Sequence, residues 1–346
     1  MTDEQRKTLA SEKEDNFRWL ARLFATYSDY KLGDADLVSK DVSREVTEYG
    51  DAVPVDTLIK NFTVLHQVGY PLEHYDALGD CELIDSVRGT VGDLPALVLF
   101  RPRACQLVVS ISGTASLLQA LYDLRMTKTA HPSGCGAVHS GFWALYCGLK
   151  DQLMERIWCT IEERHPVGLI FTGHSMGGSL AYLLLLDFLA KELSQEHSIL
   201  STLTLRIAII GAPRAGDAKL VNYFHSLLKQ YRERFKIDVT EYSVQGYNDG
   251  IPAVPPPKMG FRHFCQAPLF TGGGKLYRTP ASNQSQAMFY PPEDTMQLFP
   301  MGGHNYYNGR DLESFRQRTA WLAKADIEKL GWQSRYETTR SMDPSQ

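Results

Sequence analysis

The chain has 346 residues, 43% hydrophobic and 22% charged, which is enough length and apolar content to bury a sizeable core. Its 36 Lys and Arg against 40 Asp and Glu leave a net charge of −4, without the basic excess of a nucleic-acid-binding surface. No run approaches the roughly 18 apolar residues that a membrane span requires.

The opening residues, Met1-Thr-Asp-Glu-Gln-Arg-Lys7, are charged and lack the apolar stretch of a signal peptide, so a cytoplasmic setting is expected. Cys81, Cys105, Cys135, Cys147, Cys159 and Cys265 are scattered, with no C-x-x-C pair and no histidine spacing that suggests zinc. Reduced thiols suit that setting. Asn61-Phe-Thr63 and Asn283-Gln-Ser285 have the glycosylation pattern, which matters only in a secreted protein.

Residues 1 to about 75 show helical spacing, first in Phe17, Leu20, Ala21, Phe24 and Tyr27, then in Val55, Leu58, Ile59, Phe62 and Leu65. Pro54 suits the first turn of the second helix. This helical preamble is expected to pack on the main body within one domain spanning residues 1–346. From Cys81 the period changes. Leu94–Phe100 and Gln106–Ser112 are β-rich runs joined by Arg101-Pro-Arg-Ala104, a β-hairpin or meander pattern whose second strand Gly113-Thr114 ends. Residues 116–126 form a short amphipathic segment, and His139-Ser-Gly-Phe-Trp143 opens a helical region reaching about Arg164.

Val167–Phe171 then reads as a buried strand and Ser179–Ala190 as a buried helix, with Thr172-Gly-His-Ser-Met-Gly-Gly178 between them. Further on come the strand Leu205–Ile210, a helix from Leu220 to about Tyr231 and the strand Val239–Val244. Strands alternating with helices predict an α/β fold with a largely parallel central sheet. Beyond Gly246 the chain is rich in loops. A final helix is expected from about Leu312 to Leu330, with a disordered tail over residues 335–346.

A Gly-x-Ser-x-Gly turn between strand and helix is the setting in which a serine becomes a nucleophile. Gly173 and Gly177 lack the β-carbons that would clash in so sharp a turn, and Ser175 is lifted to the positive end of the following helix. A serine hydroxyl needs a base for its proton, and the base needs a carboxylate. Among the downstream histidines His304 stands best, after a Gly-Gly pair and before Asn305-Tyr-Tyr307, and His263 stands second. Asp249 follows directly on the strand that ends near Val244, whereas Asp187 lies well along a helix and Asp217 resembles a helix cap. By itself Asn248-Asp-Gly250 is first of all a good turn former.

Taken together these motifs resemble the class 3 lipases, the fungal triacylglycerol lipase group of the α/β-hydrolases. The resemblance rests on Gly173–Gly178, Asn248–Pro255, His304–Tyr307, and Ile111–Thr114 followed by the amphipathic segment and His139–Phe142. Gly211-Ala-Pro-Arg-Ala-Gly-Asp217 and Phe261-Arg-His-Phe264 are similar to lesser landmarks of the family, and the match covers roughly residues 90–310. It implies the α/β-hydrolase fold, Ser175 as nucleophile, Asp249 as orienting acid and His304 as base. It also implies an oxyanion hole from the Met176 amide and Thr114, with no cofactor and no metal. Where the family has Arg before Gly-Thr, this chain has Ser112.

The segment after Thr114, with Leu117, Leu118 and Leu121 on one side, reads either as a core helix or as a lid that opens at a lipid–water interface. Phe142, Trp143, Ile251 and Val254 are candidates, with the three leucines, for lining an acyl groove. The expected activity is hydrolysis of acylglycerol or other apolar esters through an acyl-enzyme. A short-chain or feruloyl-type esterase, a phospholipase, an acyltransferase and a silent lipid-binding scaffold remain as alternatives.

Overall fold

The computed structural model describes residues 53–343 except 74, 114–126, 196–202, 238, 247–248, 273–274, 279–302 and 308–311. The amphipathic segment expected as a lid or core helix, with Leu117, Leu118 and Leu121, lies outside the described residues, as do Thr114 and the first expected helical stripe. The chain divides into two compact units, Ala77–Gly309 and the described parts of Met1–Asp76 and Arg310–Gln346.

In the larger unit β1 (Glu82–Arg88), β2 (Pro95–Arg101) and β3 (Gln106–Ile111) form an antiparallel meander. The chain then makes two short strands, β4 (Lys128–Ala130) and β5 (Ala137–His139), and α3 (Ser140–Arg164). Next come β6 (Gly168–His174), α4 (Met176–Leu193), β7 (Thr204–Ile210), β8 (Gly216–Asp217), α5 (Ala218–Phe235) and β9 (Val239–Gly246). After them stand β10 (Phe261–Arg262), β11 (Leu269–Gly272) and β12 (Lys275–Arg278). Among the described residues of the smaller unit, the helices α1 (Val55–Lys60) and α2 (Phe62–Leu65) precede β1, and α6 (Leu312–Ala325) and α7 (Trp332–Ser341) follow β12.

The main sheet has eight strands in the order β1-β2-β3-β6-β7-β9-β11-β12. Its centre, β3 through β11, is parallel, and antiparallel pairs close both edges, so the sheet is mixed. Parallel neighbours need long crossovers, which α3, α4 and α5 supply. A second small sheet, β10-β8-β5-β4, lies outside that order.

Alternation along β7 buries Leu205, Ile207 and Ile209 and leaves Thr204 and Arg206 exposed, as the two-residue period of a strand dictates. Helix α4 is apolar on all sides because it is buried on all sides, from Met176 to Leu186. Burying each of its leucines is worth about 1.5–3 kcal/mol over leaving it exposed. The α5 N-cap is Asp217, whose carboxylate accepts the Leu220 N–H at 2.8 Å.

In the smaller unit the second expected helix breaks at Asn61, whose side-chain amide turns back to the Thr57 carbonyl at 2.9 Å. The expectation of one helix to Leu330 and a disordered tail from 335 is corrected in both respects. The chain leaves α6 through a turn with Asp326 and Gly331 at positive φ, then forms α7 through Ser341. Trp332 and Tyr336, one helical turn apart, supply the reason. They stand 5.5 and 5.2 Å from the Tyr70 ring, and the Tyr336 hydroxyl donates to the Gly69 carbonyl at 3.1 Å. Among the described residues no helix is long and apolar enough to cross a membrane.

Candidate active site

The parallel strands end in register, with His174 opposite Ile210 and Ile210 opposite Val244. The hydrogen-bonding pattern runs one residue further on each: Ser175 N–H donates to the Ile210 carbonyl and Gly211 N–H to the Val244 carbonyl, both at 2.8 Å. Three carboxyl ends are thereby drawn together, the place where open α/β sheets bind ligands.

Ser175 sits between β6 and α4 at φ 61°, ψ −135°, a conformation that costs a residue with a β-carbon about 1–3 kcal/mol. The surroundings hold it there. Its amide is tied to Ile210 and its carbonyl accepts the Gly178 N–H at 3.0 Å. The turn also needs room, since a β-carbon on Gly177 would strike the Ile111 carbonyl and come within 2.6 Å of the Ser112 oxygen. Strand, turn and helix thus present one serine at the N-terminus of a helix, 2% exposed.

His304 lies in a single 3₁₀ turn, Gly303–Asn305, with its Nε2 2.7 Å from Ser175 Oγ and its Nδ1 2.9 Å from Asp249 Oδ2. A carboxylate only accepts, so Nδ1 carries the proton and Nε2 offers its lone pair to the serine hydroxyl. The Asp249 side chain is wholly buried. Its Oδ1 accepts the Ile251 N–H at 2.9 Å, and its Oδ2 accepts the Tyr307 hydroxyl as well as His304. Burial, the Asp249 charge and their hydrogen bond raise the Tyr307 phenol well above its ordinary value, so it stays a donor. Tyr307 in turn accepts the Gly246 N–H at 2.7 Å, tying β9 to the same point.

Two residues of the resemblance motifs thus have contacts that their position in the sequence did not show. Tyr307 was legible only as part of the His304 motif. His174, the residue before the serine, donates from Nε2 to the His304 carbonyl at 2.9 Å and lays its ring 4.4 Å from the His304 imidazole. Gly211 is a third. At φ 60° it passes so close that a β-carbon there would stand 2.9 Å from Asp249 Oδ2 and 3.2 Å from His304 Cε1.

Met176 is the first residue of α4, where amides have no intrahelical partner and the helix end is electropositive. The other expected oxyanion residue, Thr114, lies outside the described residues. Just before it, Ser112 Oγ donates to the Gly113 carbonyl at 2.8 Å. His304, not His263, is the histidine hydrogen-bonded to Ser175. His263 Nε2 donates to the Pro252 carbonyl at 2.9 Å.

Of the expected groove residues, Phe142 has no exposed surface, packs within the core and stacks on His139, centroids 4.2 Å apart. Trp143 is half-buried against His131 and Tyr146 at 5.0 and 5.4 Å. Ile251 is buried and acts through its amide on Asp249, while Val254 is half-buried and packs on the core.

Residues 108–259 match the family model described as Lipase (class 3). The lipase of Rhizomucor miehei is 28% identical over 202 residues, covering 58% of this chain and 52% of that protein. The secreted mono- and diacylglycerol lipase of Malassezia restricta is 28% identical over 227 residues, covering 63% of this chain and 67% of that protein. The chain therefore spans about half to two thirds of the length of these relatives. In structure, the Rhizomucor miehei lipase in its propeptide complex aligns with a TM-score of 0.55 at 22% identity, over 78% of this chain and 81% of that one, a likeness of fold.

The expected cytoplasmic setting is corrected by these relatives, which include a secreted lipase and point to the outside of the cell. The expectation rested on the charged opening residues alone. Ser175 and Asp249 both fall within the residues that match the class 3 lipase model.

Proposed function

We propose that this chain is a serine carboxylic ester hydrolase that cleaves acylglycerol esters through an acyl-enzyme on Ser175. One observation carries the reading: the continuous chain of hydrogen bonds from Ser175 Oγ through His304 at 2.7 Å to Asp249 at 2.9 Å. In this reading His304 Nε2 takes the hydroxyl proton as Oγ attacks the ester carbonyl, and later returns it to the leaving alcohol. Asp249 stabilises the imidazolium that forms in between. The oxyanion is met by the Met176 amide and by Thr114, each such donor being worth about 2.7–4 kcal/mol. Water, deprotonated by the same histidine, then frees the fatty acid.

The acylglycerol substrate is supported by the relatives' names, lipase and mono- and diacylglycerol lipase. An extracellular lipid–water interface as the place of action, and a lid in residues 116–126, belong to the same proposal. Two measurements test it. A fluorophosphonate probe should add its phosphonyl group to Ser175, as read by peptide mass spectrometry, and an unlabelled serine would leave only a silent scaffold. Hydrolysis of an acyl-chain series should rise sharply above each substrate's solubility limit. A smooth saturation curve through that limit would point instead to a soluble-ester hydrolase.

A further inference from the structure

Two stretches singled out in the sequence, Gly211–Asp217 and Phe261–Phe264, take no direct part in the chemistry above. Each sends one side chain against the loop that follows Asp249. That loop contains Pro252, Pro255, Pro256 and Pro257, which have no N–H to donate, so its carbonyls must find donors elsewhere. They find them in two residues. The Pro252 carbonyl accepts from His263 Nε2 at 2.9 Å, and the Ala253 and Pro255 carbonyls accept from Arg214 Nη1 at 2.5 and 3.2 Å. The Val254 carbonyl accepts the Arg214 backbone N–H at 2.9 Å. All the carbonyls from 252 to 255 are thus held from outside the loop.

Arg214 is 2% exposed, and its planar guanidinium is turned into the loop rather than into solvent. Burial and the neighbouring Arg262 push it down to about 10, which leaves it charged at neutral pH. Enclosure and the Arg214 charge push His263 down to about 3, so it is neutral and donates from Nε2. An apolar side chain of similar volume would fill either place but leave the Pro252, Ala253 and Pro255 carbonyls without these donors. The clamped stretch begins one residue after Ile251, whose amide holds Asp249 Oδ1 at 2.9 Å.

We propose that Arg214 and His263 are positioning residues for the triad acid: they clamp the backbone of residues 252–255 and thereby fix the Ile251 amide and the Asp249 carboxylate against His304. This rests on the reading of Asp249 given under Proposed function. A clamp acting through Asp249 has no effect once Asp249 is disabled, whereas a merely structural residue lowers activity in any background.

The test is a double-mutant cycle on p-nitrophenyl butyrate, with rates referred to active sites titrated by fluorophosphonate. Arg214→Met is expected to lower kcat about 10- to 100-fold with little change in KM, the scale of a small misplacement of a reacting group. Added to Asp249→Asn, the same change should lower kcat by less than about twofold. An equal loss in both backgrounds overturns the clamp alone. Near-normal turnover by Asp249→Asn overturns the triad reading and the clamp with it. If Arg214→Met does not fold, His263 decides: His263→Phe should slow kcat and His263→Gln, whose amide can still donate to Pro252, should restore it. Equal losses in those two variants overturn the proposal.

Discussion

Tyr307 and His304, three residues apart, donate to the same carboxylate oxygen of Asp249, the histidine from Nδ1 at 2.9 Å and the tyrosine from its hydroxyl. The ionised carboxylate is therefore fixed by two side-chain donors on Oδ2 and by the Ile251 amide on Oδ1. One short turn brings both the base and a fastening for the acid.

Tyr307→Phe removes that donor and leaves the buried Gly246 N–H without its acceptor. A loss of about 1–3 kcal/mol of stability is expected in urea unfolding. A fall in kcat of about tenfold at unchanged KM should accompany it, the loss of one hydrogen bond to a charged group. Unchanged kcat would show that Asp249 needs no such fastening.

Gly211→Ala would place a methyl group 2.9 Å from Asp249 Oδ2 and 3.2 Å from His304 Cε1, at a backbone φ of 60°. Strain and overpacking are each worth about 1–3 kcal/mol. The variant should melt lower than the parent and turn over at least about tenfold more slowly per titrated site, since the methyl can be accommodated only by shifting the acid or the base. Parental turnover together with a parental melting temperature would contradict the close packing at Gly211.

The parts of the molecule that were legible in the sequence are those whose neighbours in space are also neighbours in the chain. The run Val167–Ala190 carries strand, turn and helix in one stretch, so Ser175 could be found from its surroundings. Strand β1 was missed because its burial does not alternate: of Glu82–Arg88 only Val87 is buried. Strands β4, β5, β8 and β10 have two or three residues each, too few to show a period, and exist because they pair with one another. Tyr307 and Arg214 sit 58 and 39 residues from the partners that give them their places, Asp249 and Ala253. No local pattern could carry that. Phe142 was assigned to a groove by its apolar character alone, which equally suits the core where it lies.

His139 gives the fold a pH dependence. It is fully buried, and its Nδ1 accepts the Phe142 N–H at the start of α3, so only the neutral ring fits, and burial lowers it from 6.5 to about 4. Between those values the unfolded chain binds a proton that the native chain does not. Stability from this group is therefore complete above pH 6.5 and is lost as pH falls towards 4, by roughly 3 kcal/mol in all. His139→Asn keeps a cap acceptor and does not titrate. Its urea midpoint should fall less than the parent's between pH 7 and pH 4.5, and parallel falls would place the acid sensitivity elsewhere.

Asp249→Asn is expected to fold and to lower kcat by about 10³–10⁴, because the amide can donate to His304 Nδ1 and so turn its proton towards the serine side. Circular dichroism and active-site titration separate this from unfolding. Near-normal turnover would move the acid to another residue.

The proposed chemistry requires that the Ser175 hydroxyl, 2.7 Å from His304 Nε2, is the nucleophile. Steady-state hydrolysis of a p-nitrophenyl ester by the Ser175→Ala protein tests it most directly. A fall in kcat of about 10⁶, with a melting temperature near the parent's, is the expected result, on the scale seen when a triad serine is removed. Full esterase activity in that variant would contradict it.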